Sequence, residues 1–184
     1  MMDVFYLYLI IGGMPEAVDV YLKTNDLAKV AEVHEKIIRL YKTDFSKYEI
    51  RYKLKLQEIY DAMPGQLDQK NKRFQLNCIG KGMSYDRVAN DFLWLKDAGV
   101  VIPVYNINEP KLPLVISENR NLFKLFCSDV GLLTSRYSNQ VKIAILNKDK
   151  AINNGALFEN AAAQELMAKG LKEYYFNSKN LLNF

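Results

Sequence analysis

The fold is decided by one helix-forming stretch and the two short apolar runs that follow it: SYDRVANDFLWLKDAG (residues 84–99), VVIPVY (residues 100–105) and LVI (residues 114–116). Apolar side chains from Tyr85 to Leu95 recur at the spacing of one helix face, with Ser84 as a candidate N-cap and Gly99 just past the end. The two runs after this helix predict a β-hairpin. A helix followed at once by a hairpin is typical of a winged helix, a module that either reads nucleic acid or docks onto proteins.

The composition indicates an ordered protein with a mild, local positive charge. The chain has 184 residues, 49% of them hydrophobic, and a formal net charge of +4. The charge excess lies between Lys42 and Lys81, where nine Lys and Arg residues face five Asp and Glu residues. This imbalance is well below that expected of a dedicated nucleic-acid-binding protein.

The two cysteines and the apolar N-terminus indicate the cellular compartment in which we expect the protein. Cys78 and Cys127 have no partner at metal-ligand spacing, so we expect free thiols in a reducing, cytoplasmic compartment. The apolar start, residues 4–11, lacks a preceding basic region, follows Asp3 and is too short to span a bilayer. It predicts a buried helix that begins in the middle of a fold, and therefore a further segment upstream of residue 1. No membrane partner is expected.

The remaining elements follow from apolar periodicity. Helices are predicted over about 15–22, 26–41, 46–63 and 155–166. We expect the pattern of the third of these helices to break at Met63-Pro64. Residues 123–133 are expected to be a strand followed by a helix, and residues 174–176 are expected to be a strand. The apolar run at residues 141–146 fits either a helix or a strand.

The sequence contains no recognisable catalytic constellation. Gly12-Gly13 is not followed by Lys and Ser or Thr, and Gly80-Lys81 lacks the earlier glycine of a phosphate loop, so neither predicts nucleotide binding. His34 is the single histidine and has no nearby acid or cysteine, so nothing points to a triad. The carboxylates are scattered singly along amphipathic helices rather than clustered as metal ligands. We therefore do not expect an enzyme.

Eight short motifs together resemble one protein family. They are GGMPEAV (12–18), GKGMSY (80–85), WLKDAGVV (94–101), YNI with KLPL (105–114), FKLF (123–126), DVGLL (129–133), GALFEN (155–160) and QEL (164–166). In this order they are similar to the C-terminal domain, of the domain of unknown function 4143 family, in predicted AAA-type ATPases of bacteria and archaea. The resemblance extends over nearly the whole chain.

The resemblance implies an α+β, predominantly helical fold in three segments. These are an N-terminal helical part (1–45), a winged-helix module (46–120) and the start of a PD-(D/E)xK nuclease-like α/β region (121–184). Glu159 matches an acidic residue of that nuclease-like region, but no later Asp and no Glu-x-Lys follow residues 174–176. Glu159 is therefore a weak catalytic candidate. No cofactor or metal is expected in this chain, since an upstream ATPase module would bind ATP and Mg²⁺.

The expected function is a non-catalytic accessory domain of an AAA-type ATPase family protein, bound to an ATPase module or another protein, with homo-oligomerisation possible. The alternative is weak, sequence-independent nucleic-acid binding. The predicted helix carries Asp86, Asp91 and Asp97 against two basic residues, and this balance disfavours insertion into a DNA groove. The nucleic-acid contacts would then come from basic residues around the helix entry: Lys70, Lys72, Arg73, Lys81 and Arg87.

Overall fold

A computed structural model describes residues 2–45 and 50–176, without the side chains of residues 50–53. This part of the chain is α+β and predominantly helical, as predicted. The helices are α1 (Met2–Ile11), α2 (Pro15–Thr24), α3 (Leu27–Phe45), α4 (Ile50–Leu67), α5 (Tyr85–Asp97), α6 (Val130–Ser135), α7 (Asn139–Leu146) and α8 (Gly155–Ala168). The strands are β1 (Val101–Ile107), β2 (Glu118–Cys127) and β3 (Tyr174–Phe176). The predicted start of the fourth helix at residue 46 lies outside the described residues.

Helix α5 and the first strand of the hairpin form as predicted. Ser84 holds the N-cap position with an extended backbone, and Gly99 follows the helix with a φ of 68°. A positive φ is accessible to glycine without steric cost, so Gly99 lets the chain reverse directly into β1. Strand β1 pairs antiparallel with β2, with Val101 opposite Cys127 at one end of the ladder.

The second hairpin strand differs from the prediction that placed it at residues 114–116. Those residues belong to a short 3-10 helix, Leu114–Ser117, and the strand is the later segment β2. Ile116 is 79% exposed, whereas Phe123 and Leu125 of β2 are buried. Because strand pairing is stabilised by burial of one face, the chain pairs where alternate side chains reach the core.

Helix α4 extends beyond the predicted break and includes Pro64. Proline has no backbone N–H, so the carbonyl of Tyr60 loses its usual helical donor. The guanidinium of Arg136 replaces it, because Nη1 donates to the Tyr60 carbonyl at 2.6 Å. Met63 and Leu67 are fully buried on either side of Pro64 and hold the last turn against the core. The helix therefore continues to Leu67 despite the proline.

One main hydrophobic cluster joins residues from the three predicted segments. Its largest buried side chains come from α1, α3, α4, α5, β2 and α6: Leu9, Phe45, Tyr60, Phe92, Phe123 and Leu132. The sheet has the order β2-β1-β3, and β3 lies parallel to the end of β1, with Tyr105 opposite Tyr174. Residues 141–146, whose type the sequence left open, belong to helix α7. The short β3 forms as predicted and brings the end of the described chain back beside the hairpin.

No single helix in residues 2–45 and 50–176 is long and apolar enough to cross a membrane. The pair α1 and α2 reaches the required length and composition only when taken together, and the two helices are bent by 119° at the break between them.

Candidate functional site

A basic groove lies where the segment after α4, strand β2 and strand β3 meet. Its volume is about 630 Å³, and we call it the basic groove throughout. The residues that line it are Gln69, Lys70, Asn71, Arg73, Lys124, Tyr175 and Phe176. The lining contains three cations and two amide side chains but no carboxylate. Such a lining is suited to an anionic ligand.

The turn at residues 69–73 presents the basic side chains on one wall of the groove. The backbone N–H of Lys72 donates to the Gln69 carbonyl at 3.0 Å, and Lys72 has a φ of 49°. The side-chain oxygen of Asn71 accepts from the Arg73 N–H at 3.1 Å. Phe74 then anchors the turn, because it is buried and its N–H donates to the Phe123 carbonyl at 2.9 Å. The turn is therefore attached directly to the hairpin.

Glu159 lies in two ion pairs beside this groove. Its carboxylate accepts from Lys72 Nζ at 2.9 Å and from Lys124 Nζ at 2.7 Å. Partial burial by itself raises the pKa of Glu159, but the hydrogen bonds from Lys124 and Lys72 outweigh it and hold the pKa below the usual range. A carboxyl group that stays ionised in this way is a poor general acid at neutral pH. The weak catalytic candidate of the sequence is thus the counter-ion of two lysines.

The described residues contain no group of three or more His, Cys, Asp or Glu side chains that could hold a metal ion. The nearest polar partners of Glu159 are cations, which would repel Mg²⁺ or Zn²⁺ from its carboxylate. Its arrangement in this structure is therefore that of an ion-paired anion rather than of a metal ligand.

Strand β3 brings an aromatic side chain to the same groove. Lys124 Nζ lies 5.3 Å from the centroid of the Tyr175 ring, a cation–π geometry. Asn106 Nδ2 donates to the Tyr175 carbonyl at 3.2 Å and fixes the end of β3 against β1. Burial raises the pKa of the Tyr175 hydroxyl, and the adjacent Arg73 partly offsets this effect. Arg73 and Lys124 therefore flank Tyr175.

The structure brings together only some of the five predicted nucleic-acid contacts. Lys70 and Arg73 line the groove, whereas Lys72 pairs with Glu159. Lys81 and Arg87 are not among the groove residues, and Arg87 Nη1 donates to the Gly82 carbonyl at 3.3 Å. Whether any of the five binds nucleic acid stays a prediction.

Sequence reasoning missed Lys124 and Tyr175. Lys124 comes from β2, about fifty residues after the turn, and reaches the groove only through the hairpin register. The signal available was a single charge within the apolar run FKLFC (residues 123–127), a pattern that marks the outward position of a half-buried strand. Tyr175 had no comparable signal, because β3 has only three residues.

Helix α5 is less acidic on its outer face than its sequence suggests. Asp91 is buried and its carboxylate lies 3.4 Å from Lys55 Nζ on α4. Burial raises the pKa of Asp91, and the charge and hydrogen bond of Lys55 partly offset that effect. Asp86 and Asp97 remain exposed at the two ends of the helix. The aspartate in the middle of the helix thus belongs to the packing between α4 and α5.

A second groove lies against α5 and is lined by both apolar and charged side chains. Its volume is about 570 Å³, and we call it the apolar groove. It is formed by α5, the first half of β1 and the segment after α8, with apolar contributions from Leu93, Ile102, Val104, Met167 and Leu171. Glu118 on its edge is held by Arg120 at 3.1 Å and Lys172 at 3.0 Å. Glu173 also lines this groove, and its Oε1 is buried without a hydrogen-bond partner among the described residues. The groove therefore has exposed apolar side chains beside one unpartnered carboxylate oxygen.

Three of the eight motifs, GGMPEAV, DVGLL and QEL, meet around Asp129, which is buried. Its Oδ2 accepts from the Gly13 N–H at 2.7 Å and from Gln164 Nε2 at 3.2 Å, and its Oδ1 accepts from the Leu132 N–H at 3.0 Å. A Cβ on Gly12 would overlap the Asp129 carboxylate, so glycine is required there for the close approach. This hydrogen-bond cluster joins the α1–α2 corner to α6 and α8, and we assign it to the fold.

His34 belongs to the same region and is held within the core. It is buried, and its Nε2–H donates to the Ile11 carbonyl at 2.9 Å. Burial lowers its pKa, the Ile11 carbonyl and Asp129 raise it, and Lys142 lowers it further. The ring is therefore a buried group whose hydrogen bond to Ile11 connects α3 to the end of α1.

The fold and the basic groove define a small α+β domain with a helix-hairpin unit and an anion-compatible surface. Residues 2–141 match a protein family described as a domain of unknown function (DUF8612), and the chain belongs to this family. The match includes Lys70, Arg73 and Lys124, while Glu159 and Tyr175 lie beyond it. Neither the curated proteins nor the solved structures contain a significant match to the chain.

Proposed function

We propose that this chain is a non-catalytic interaction domain of an AAA-type ATPase family protein, without a nucleotide site of its own. In this proposal its helix-hairpin unit is a winged-helix module, the region after β2 is the start of a nuclease-like fold, and ATP with Mg²⁺ is bound by the ATPase module. The partner is that module or another protein of matching surface, and the compartment is the cytoplasm.

The apolar groove carries the proposal. Leu93 is 52% exposed, Met167 44% and Leu171 55%, and all three line this one groove. Contiguous exposed apolar surface of this kind marks protein-binding sites more often than isolated exposed residues do. Burying the three side chains would favour association by removing apolar area from water.

The chemistry at Glu159 supports a role without catalysis. Two lysines occupy its carboxylate, so the group is held ionised and already has partners. An interaction domain needs no such reactive group, whereas a nuclease would need this carboxylate to face a metal ion.

The proposal is tested by mixing the purified chain with an ATPase module encoded in the same gene or its neighbourhood, with complex formation measured by size-exclusion chromatography and light scattering. Leu93→Ser with Leu171→Ser should weaken the complex at least tenfold, because two side chains at its centre are lost. Leu112→Ser is the matched control, since Leu112 is 88% exposed and lies outside the groove. No complex, with a monomer by light scattering, would count against the proposal. A dimer disrupted by the groove variants would identify a second copy as the partner.

The alternative function, weak sequence-independent nucleic-acid binding, draws on a different surface. The basic groove favours it because three cations line one groove that carries no carboxylate. A gel shift at low salt tests it, and the absence of any complex at tens of micromolar protein, on the order of non-specific affinities, would remove it.

A further inference from the structure

The basic groove has cations whose charges are not neutralised by the protein. Lys70 and Arg73 form no ion pair with any acidic residue in the described part of the chain. Lys124 and Lys72 share one carboxylate, that of Glu159. Four cations therefore face a single anion around this groove, and the local excess of positive charge is available to a ligand.

The cations around the groove differ in exposure and in ion pairing. Lys72 and Lys124 are mostly buried, with side chains 16% and 19% exposed, and Glu159 holds both. On the same turn as Lys72, Lys70 is exposed and Arg73 is partly exposed. An exposed ammonium group, a partly exposed guanidinium group and a more buried lysine thus line one groove, and each is a donor suited to phosphate oxygens.

The groove also suits the rest of a phosphate-bearing ligand. Its volume of about 630 Å³ is far larger than one phosphate, so room remains for a sugar or a neighbouring nucleotide. Tyr175 and Phe176 line it beside the cations, and Phe176 is exposed. Aromatic side chains next to basic ones are typical of surfaces that bind single-stranded nucleic acid.

We propose that the basic groove binds the phosphate group of an anionic ligand, with Arg73 and Lys70 as its main contacts, the more buried Lys124 as a further contact, and Glu159 as an opposing charge that limits affinity. The inference rests on the alternative function above and is independent of the apolar groove. It names phosphate as the recognised group, and that group is supplied either by a free phosphate compound or by a single-stranded polynucleotide.

The test uses two probes on the full chain: pyrophosphate by titration calorimetry, and a fluorescently labelled single-stranded oligothymidylate by anisotropy at low salt. Arg73→Ala and Lys70→Ala should each weaken pyrophosphate binding about tenfold, the usual scale for one charge-assisted hydrogen bond. Lys29→Ala is the matched control, because Lys29 is an exposed lysine on α3 outside the groove. For the oligonucleotide, each groove variant should reduce the logarithmic salt slope by about 0.7.

Glu159→Gln should change the pyrophosphate affinity in the opposite direction. It removes the anion that holds Lys72 and Lys124 while keeping the side-chain shape, so pyrophosphate affinity should rise by at least about threefold, because one opposing charge has gone. Thermal unfolding of each variant identifies any that fail to fold. A change in affinity of opposite sign in Glu159→Gln and Arg73→Ala cannot arise from general destabilisation.

The outcomes separate the inference from the function on which it rests. If both probes bind and both weaken in the groove variants, the site and the nucleic-acid function are supported. If pyrophosphate binds in the groove and the oligonucleotide does not, the site stands and the nucleic-acid function fails. If the oligonucleotide binds equally to wild type, Arg73→Ala and Lys70→Ala, the site is wrong while nucleic-acid binding stands. Absence of binding by both probes overturns the inference.

Discussion

Removal of the Asp129 carboxylate should destabilise the whole domain, because this group joins three separate parts of the chain. In Asp129→Ala the N–H groups of Gly13 and Leu132 and the side-chain amide of Gln164 all lose their acceptor. The bond to Leu132 also caps the N-terminus of α6. The α1–α2 corner would then lose its hydrogen bond to Asp129, while α6 and α8 would keep the bond from the Val130 N–H to Gln164 Oε1 at 2.9 Å.

The magnitude follows from the number and kind of these bonds. Loss of an N-cap costs about 1 kcal/mol, and each buried donor left without a partner costs about 1–3 kcal/mol. Removal of a buried charge offsets part of this loss, because the desolvation cost of the carboxylate disappears. We therefore expect the free energy of unfolding to fall by about 3 kcal/mol, a large part of the total of about 5–15 kcal/mol typical of a domain.

Urea unfolding followed by Trp94 fluorescence measures this change. Trp94 is the single tryptophan, and its ring lies 5.5 Å from that of Phe45 in the core. Asp97→Ala is the matched control, since Asp97 is exposed at the end of α5, and its effect should stay within about 0.5 kcal/mol. A loss below about 1 kcal/mol for Asp129→Ala, or one equal to that of the control, would refute the structural role of the cluster.

Three further predictions concern packing and pH. Gly131→Ala should cost about 2–3 kcal/mol of unfolding free energy in the same urea assay, because its Cβ would lie 2.5 Å from the Ile11 carbonyl oxygen and force α1 and α6 apart. Gly65→Ala should instead stabilise the protein by about 0.5–1 kcal/mol, because it lies inside α4 with no atom within 4 Å of the added methyl group; a loss of stability there would contradict this packing. Burial lowers the folded-state pKa of His34 below 6.5, so its contribution to stability is fully present above that pH and is lost as the pH falls below it. His34→Gln, whose amide can still donate to Ile11, should therefore lose less stability than wild type between about pH 7.5 and about pH 5.5, and equal losses would show that folding does not shift the pKa of His34.

Local pattern was sufficient to predict the elements that have strong periodicity. Helix α5 and the Ala-rich α8 begin and end within a few residues of their predicted bounds, because both have apolar faces at helical spacing and a glycine beyond the end. Helix α4 shows where local pattern failed. Pro64 is a helix breaker by sequence, and only the distant Arg136 makes the extra turn possible.

The candidate site was predictable only in part for a related reason. Lys70 and Arg73 are neighbours along the chain, so the order of residues alone is enough to recognise a basic cluster. Lys124, Glu159 and Tyr175 approach them only when β2, α8 and β3 pack together. Sequence reasoning could therefore mark the turn as basic, but it could not tell that Lys72 would be neutralised and Lys70 left unpaired.

The sequence by itself determined the α+β class, helix α5 with the strand β1 that follows it, and the excess of positive charge that precedes them. These properties depend on the order of side chains within one or two turns or strands, and short-range sterics and periodicity control them. Only the tertiary structure decided the strand register, the continuation of α4 through Pro64, and which lysines face a carboxylate. Those outcomes depend on contacts between residues far apart in sequence, whose energies exist only after the chain has folded and excluded water from between them.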